Sequence, residues 1–177
     1  MRALTGIFTA GLMFAAGSAP AFAEDQAASC AATSVQEGAF AAWPDQREGT
    51  AEAVTSESLS DARLEVGEAV RLDLLPTAQV TYAAEPGKAE PDRTFGGMAA
   101  LEIGRAGTYR VALGGPAWID VVQDGTALAS TAHGHGPQCS GIRKIVDFDL
   151  QPGRYIVQIA ASATDTVSIM VVGPAGL

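Results

Sequence analysis

Ile103-Gly104-Arg105-Ala106-Gly107-Thr108-Tyr109-Arg110-Val111-Ala112-Leu113 is echoed, one residue shorter at its turn, by Leu150-Gln151-Pro152-Gly153-Arg154-Tyr155-Ile156-Val157-Gln158-Ile159. Each copy reads as the end of a strand, a Gly turn, and a returning strand of the form Tyr-x-Val-x-aliphatic. The Gly allows positive φ, and a period of two puts the Tyr, Val and aliphatic side chains on one face of the return. Tyr109 and Tyr155 are therefore expected in the core or at its corners rather than against a ligand.

The same period extends in both directions. Leu64 and Val66, then Val70, Leu72 and Leu74, then Val80 and Tyr82 alternate with polar neighbours, punctuated by Gly67 and Pro76. Further strands are expected at Met98–Ile103, Thr108–Leu113, Ala117–Gln123, Ala127–Thr131, Ile142–Leu150, Arg154–Ala160 and Thr166–Val172, with Asp124-Gly125 as a hairpin turn. Residues 85–92, Glu-Pro-Gly-Lys-Ala-Glu-Pro-Asp, have turn chemistry throughout. No window of a dozen residues beyond the N-terminus carries a helical stripe. The expectation is an all-β, antiparallel, jelly-roll-like sandwich of about eight or nine strands. Residues 24–58, rich in Ala, Ser, Thr, Glu and Gln, lack alternation and read as an irregular arm ahead of a sandwich spanning 59–177.

The N-terminus supplies a basic start at Arg2, an apolar run from Ile7 to Ala16 and the small-residue site Ala21-Phe22-Ala23. These are the three parts of a cleavable secretory signal. The run is broken by Gly11, Gly17 and Pro20, short of the ~20 residues a permanent span needs. Cys30 lies too far past Ala23 to accept a lipid. Cleavage after Ala23 would leave 154 of the 177 residues, about one domain, in the periplasm or outside the cell. The signal holds one charge, Arg2, so the mature chain has 10 basic against 20 acidic residues. That balance repels nucleic acid and anionic lipid, and keeps an exported domain soluble. Stable membrane insertion is not expected; partners are left as a protein, a glycan or a small ligand.

In an oxidising compartment the only two cysteines, Cys30 and Cys139, read as one disulfide. It would close a loop of about 110 residues, valued at roughly 4–5 kcal/mol in the chain-entropy model. Ligation of a metal by Cys139 is the competing reading, and it requires a reduced thiol.

Most chemistry-bearing side chains fall in residues 131–144, Thr-Ala-His-Gly-His-Gly-Pro-Gln-Cys-Ser-Gly-Ile-Arg-Lys. His133 and His135, the only histidines, stand two apart, so an extended chain presents both imidazoles on one side. This is a metal-ligand spacing, and Asp147 and Asp149 are the candidates to complete a set for a divalent transition metal. Alternatively both imidazoles are solvated in a Gly-rich loop. Arg143 is a candidate anion contact. Trp118 is a candidate sugar or protein contact if Ile119 and Val121 face the core, and a core anchor if they do not. No nucleophile elbow or phosphate loop occurs, and no catalytic residue is assigned.

The phrase apolar-x-x-Gly-x-Tyr-x-Val-x-aliphatic at Leu150–Ile159, and nearly so at Ile103–Leu113, resembles the bacterial prepeptidase C-terminal domains. These are exported jelly-roll sandwiches that serve as accessory modules, so the resemblance implies a non-catalytic binding module. The phrase His133-Gly-His135-Gly-Pro-Gln-Cys139-Ser-Gly-Ile-Arg143-Lys resembles short exported chains labelled homogentisate 1,2-dioxygenase. That family implies iron held by two His and a Glu. Here the positions where the related cupin motif carries its Glu hold Cys139 and Ser140, and no third His exists.

Overall fold

The computed structural model describes residues 38–52, 59, 62–88 and 93–174. The expected signal at 1–23, Cys30 and residues 24–37 and 53–58 of the expected arm lie outside the described residues. The chain divides between Ala32 and Thr33, and everything below concerns the second unit.

Period-two alternation becomes strands in chain order: β1 (Arg47–Thr50), β2 (Arg63–Leu64), β3 (Ala69–Asp73), β4 (Leu75–Pro76), β5 (Phe95–Ile103), β6 (Gly107–Leu113), β7 (Trp118–Gln123), β8 (Thr126–Ala127), β9 (Ala132–Gly134), β10 (Lys144–Leu150), β11 (Gly153–Ser162) and β12 (Thr166–Val172). One sheet runs β1-β3-β12-β6-β10-β9, the other β2-β5-β11-β7-β8 with β4 on β5. With β1, β9, β2 and β4 set aside, β3-β12-β6-β10 faces β5-β11-β7-β8. That is the two-Greek-key order of a jelly roll.

The expected sandwich is thus present, with more strands than expected and two parallel pairs. β1 lies parallel to β3, and β2 parallel to β5. Both are short edge pieces delivered by long connections, so no hairpin forces them antiparallel. Asp124-Gly125 makes the expected two-residue hairpin between Gln123 and Thr126, with φ of 49° and 74°.

The echoed segments are corners rather than hairpins. β5 passes to β6 in the opposite sheet, and β10 passes back to β11. In each, the Tyr hydroxyl donates to the carbonyl four residues earlier, Tyr109 to Arg105 (2.8 Å) and Tyr155 to Gln151 (2.9 Å). Both rings are buried. The matching glycines share a φ of +157°, and a Cβ on Gly107 would lie 2.5 Å from Pro174 Cγ. Leu150 pairs with Gly107 and Gly153 with Ile103, so both corners sit at one end of the sandwich.

Between the sheets lie Leu72, Leu101, Val111, Leu113, Phe148, Val157, Ile159 and Ile169, all essentially inaccessible. A second cluster covers the outer face of the first sheet. Phe40 and Trp43, from the turn before β1, pack there on Ala69, Ala112, Ile142, Met170 and Val172. The described part of the segment expected to be an irregular arm therefore belongs to the fold. It lacks alternation because two aromatic side chains, rather than a strand face, attach it.

Val80 and Tyr82 do not form the expected strand. Thr77–Gln79 is a 3-10 turn, and the chain beyond it folds over the outer face of the second sheet. Tyr82 lies against Gly96, whose added Cβ would be 2.0 Å from the hydroxyl and 2.6 Å from the Ile159 carbonyl. Ala127–Thr131 is likewise not one strand: β8 ends at Ala127, and β9 begins at Ala132 in the other sheet. Among the described residues, no helix is long and apolar enough to cross a membrane.

Candidate functional site

At the end opposite the tyrosine corners, β6 finishes at Leu113 beside Lys144 and turns through Gly114-Gly115-Pro116 to β7. β9 forms the far edge, pairing Gly134 with Ile145, His133 with Val146 and Ala132 with Asp147. Directly paired residues share a face. Val146 is buried in the core, so His133 points to the inner side of its sheet at the exposed rim. His135 follows, its Nδ1 3.2 Å from the Arg143 carbonyl oxygen. His133, His135, Arg143 and Lys144 line one cavity of about 220 Å³ against Gly115-Pro116.

The expected partners of the imidazoles are elsewhere. Asp147 pairs with Ala132 and faces the other side of the sheet from His133, as does Asp149, which accepts a 2.6 Å hydrogen bond from the Thr108 hydroxyl. Nearness in sequence is not nearness in space here, because the one-residue offset in register places the two pairs on opposite faces. Among the described residues no three His, Cys, Asp or Glu side chains come together as a ligand set. Cys139 is not a free thiol, and it stands in the left-handed region at φ 63°. Ser140 is buried and its Oγ accepts from the Ile142 amide at 3.0 Å, a local turn bond.

The glycines of this loop do different work. Gly134 has open space where a Cβ would be. A Cβ on Gly136 would meet the Ile142 carbonyl at 2.3 Å and its side chain at 2.5 Å. Ile142 is itself buried beside Trp43. Gly136 therefore permits a close approach that fixes His135 beside Arg143, where composition alone suggested a loose loop.

Trp118 faces outward on β7, since Ile119 and Val121 face the core. It is half-buried all the same. Its Nε1 donates to Asp120 Oδ1 at 2.9 Å, Gly87 packs on it, and Lys144 Nζ sits 4.9 Å from the ring centroid. The Lys144 ammonium also donates to the Ala117 carbonyl at 3.4 Å. Lys144 thus bridges the open end of the sandwich to the second sheet.

Burial pushes the Lys144 ammonium below the ordinary lysine range, repulsion from Lys88 adds to this, and attraction to Asp120 opposes it. A lysine with a lower pKa folded than unfolded binds fewer protons in the folded chain between the two values. Its contribution to stability therefore rises with pH across that window. Urea midpoints measured from pH 7 to about 10.5, near the ordinary lysine value, are expected to show wild type gaining on Lys144→Met as pH rises. A difference that stays flat refutes the assignment.

Gln158 escaped the sequence reading, and Asp120, which sequence places on one strand face with Trp118, has a structural role that sequence does not show. Gln158, 0% exposed, and Asp120, 7% exposed, lie paired on the outer face of the second sheet. Gln158 donates from Nε2 to the Ala84 carbonyl (3.0 Å) and accepts at Oε1 from the Ala84 amide (3.2 Å). Asp120 Oδ2 accepts from the Gly87 amide at 3.2 Å and from Gln158 Nε2 at 3.4 Å. These bonds fasten residues 84–87 over the sheet. The available signal was a polar residue inside each apolar run, Ile156-Val157-Gln158-Ile159 and Ile119-Asp120-Val121.

A scan against protein-family models finds none that matches the chain, and a search of curated proteins finds no match.

Proposed function

We propose that this chain is an exported, non-catalytic binding or accessory module whose ligand site is the cavity at His133, His135, Arg143 and Lys144. One observation carries the reading. In a chain with 20 acidic and 11 basic residues, His133, His135, Arg143 and Lys144 border one concavity, and among the described residues no Asp or Glu borders it. A concavity bordered by those residue types favours a small anionic group, with Arg143 as its proposed contact. The jelly roll and its two echoed corners agree with the resemblance to prepeptidase C-terminal domains. Export through the signal at 1–23, and a Cys30–Cys139 disulfide formed afterwards, belong to the same proposal. The absence of a free thiol at Cys139 supports it.

The test uses full-length protein expressed with its own N-terminus and purified from the periplasm. Intact mass is expected to show loss of residues 1–23 and of the two thiol hydrogens. Titration with acetate and inorganic phosphate, followed by NMR, is expected to move the His133, His135 and Arg143 signals with saturation. Arg143→Ala is expected to weaken this at least tenfold. The rival reading is a small metalloprotein or metal-dependent dioxygenase, favoured by two imidazoles on one cavity. Stoichiometric zinc or iron, lost in His133→Ala/His135→Ala and unaccompanied by anion binding, would establish that rival instead.

A further inference from the structure

The two sides of the sandwich end differently. On one side the outer strands are β1, β2 and β4, and each is guarded. β1 carries Arg47 and Glu48, and Arg47 Nε pairs with Glu68 Oε2 at 3.4 Å. β2 carries Arg63, whose Nη1 pairs with Glu102 Oε2 at 3.6 Å. β4 ends in Pro76, which has no amide hydrogen to offer. The Arg47 guanidinium also donates to the Arg63 carbonyl and so ties the edges of the two sheets together. Charge and proline are the means by which natural sheets keep their edges from pairing with further strands.

On the other side the outer strands are β8 and β9, and they carry no such guard. From Gly125 to Gly136 there is neither a charged residue nor a proline. Every residue from Gly125 to His135 is exposed except Leu128, which packs against the core. β10 occupies one side of β9, and among the described residues no strand lies on its other side. In an antiparallel ladder, backbone groups alternately point toward and away from the neighbouring strand, so β9 presents open donors and acceptors outward. The same strand borders a cavity. His133, Gly134 and His135 stand opposite Gly115-Pro116 around about 220 Å³, and the surface there is mostly apolar. That is below the ~300–1,000 Å³ of small-molecule sites, and suits one side chain better than a whole ligand. From the unguarded edge and the apolar cavity along it, we infer that β9 accepts an added strand from another polypeptide, an extended uncharged segment with one aliphatic residue seated in the cavity.

Main-chain hydrogen bonds supply affinity in this mode of recognition, and the pocket supplies specificity. The partner is uncharged because the edge itself offers no charge to pair with. Side chains of the added strand that share the inner side of the sheet with His133 lie beside the cavity. A second copy of this chain is a poorer occupant. Two molecules of net charge −9 would repel, and β9 has only three residues to contribute toward the ~1,200–2,000 Å² that a stable interface buries.

The experiment titrates the full chain by NMR with a capped six-residue peptide of threonine and valine around one central leucine. Two control peptides accompany it, one with alternate backbone amides N-methylated and one with serine in place of the leucine. Saturable shifts are expected at 129–135 and at Gly115, with each control binding at least tenfold more weakly. Ser130→Lys/Ala132→Lys, both exposed, restores a guard of the kind the opposite edge carries and is expected to weaken binding by a similar factor. The probe has no anionic group, so this result and the anion titration above stand or fall separately. No saturable binding, equal binding of the N-methylated peptide, or shifts confined to other strands overturns the inference. Equal binding of the serine peptide overturns the cavity's part in it. A dimer by sedimentation that the double lysine variant dissociates, and the peptide does not, makes the second copy the occupant and overturns the peptide assignment.

Discussion

Replacing Gln158 by Leu is expected to lower the free energy of unfolding by about 2–4 kcal/mol, because it strands polar groups on both sides of one buried side chain. Gln158 is 0% exposed and supplies the bonds described above to the Ala84 amide and carbonyl. Leu is similar in volume, so little of the effect comes from packing. The loss comes from an Ala84 peptide left partly unsatisfied, and from an Asp120 carboxylate deprived of one donor. The expected result is a lower urea midpoint with an unchanged slope. Hydrogen exchange should show residues 84–87 opening first. A midpoint within experimental scatter of wild type would mean that the segment is held by Tyr82 against Gly96 and not by the amide pair.

The second large effect concerns two glycines two positions apart, Gly134 and Gly136. Gly136→Ala must displace backbone, since its methyl would fall 2.3 Å from the Ile142 carbonyl, whereas Gly134→Ala meets nothing within 4 Å. Overpacking of this kind costs roughly 1–3 kcal/mol. The functional consequence is larger, because the displaced segment carries His135 and Arg143. Gly136→Ala is expected to lose anion binding at least tenfold at a temperature where it remains folded by circular dichroism. Gly134→Ala is expected to bind and melt as wild type does. If both variants bind normally, the cavity does not depend on the close approach at Ile142, and the site has been placed wrongly.

How much of this was legible beforehand differs between fold and site. Thr166–Val172 was readable to the residue, and Met98–Ile103, Thr108–Leu113 and Arg154–Ala160 nearly so, because half-buried strands write their environment into a period of two. The sheet order was not readable. It depends on which distant strands pair, and Ile103 meeting Gly153 is a statement about register that no local pattern contains. Phe40 and Trp43 were visible as apolar residues without alternation, yet their work of covering the outer face of a sheet is tertiary. At the site, the two histidines and Arg143 could be singled out by residue type and spacing. Their separation from Asp147 and Asp149 could not, since pairing of β9 with β10 decides it. Gln158 is not legible because a polar residue in an apolar strand reads as an interruption until the segment that covers it is known.

The two tyrosine corners stand at one end of β6 and β10, and the candidate cavity at the other, a strand length away or about 20 Å at ~3.4 Å per residue. Effects at sites so far apart are close to additive. Recognition at the histidine end can thus be rewritten over evolutionary time, by changing the Gly114–Pro116 turn or the residues around His135, without disturbing the corners that anchor the fold. The molecule is in this sense modular within a single sandwich, with one pole conservative and the other open to experiment.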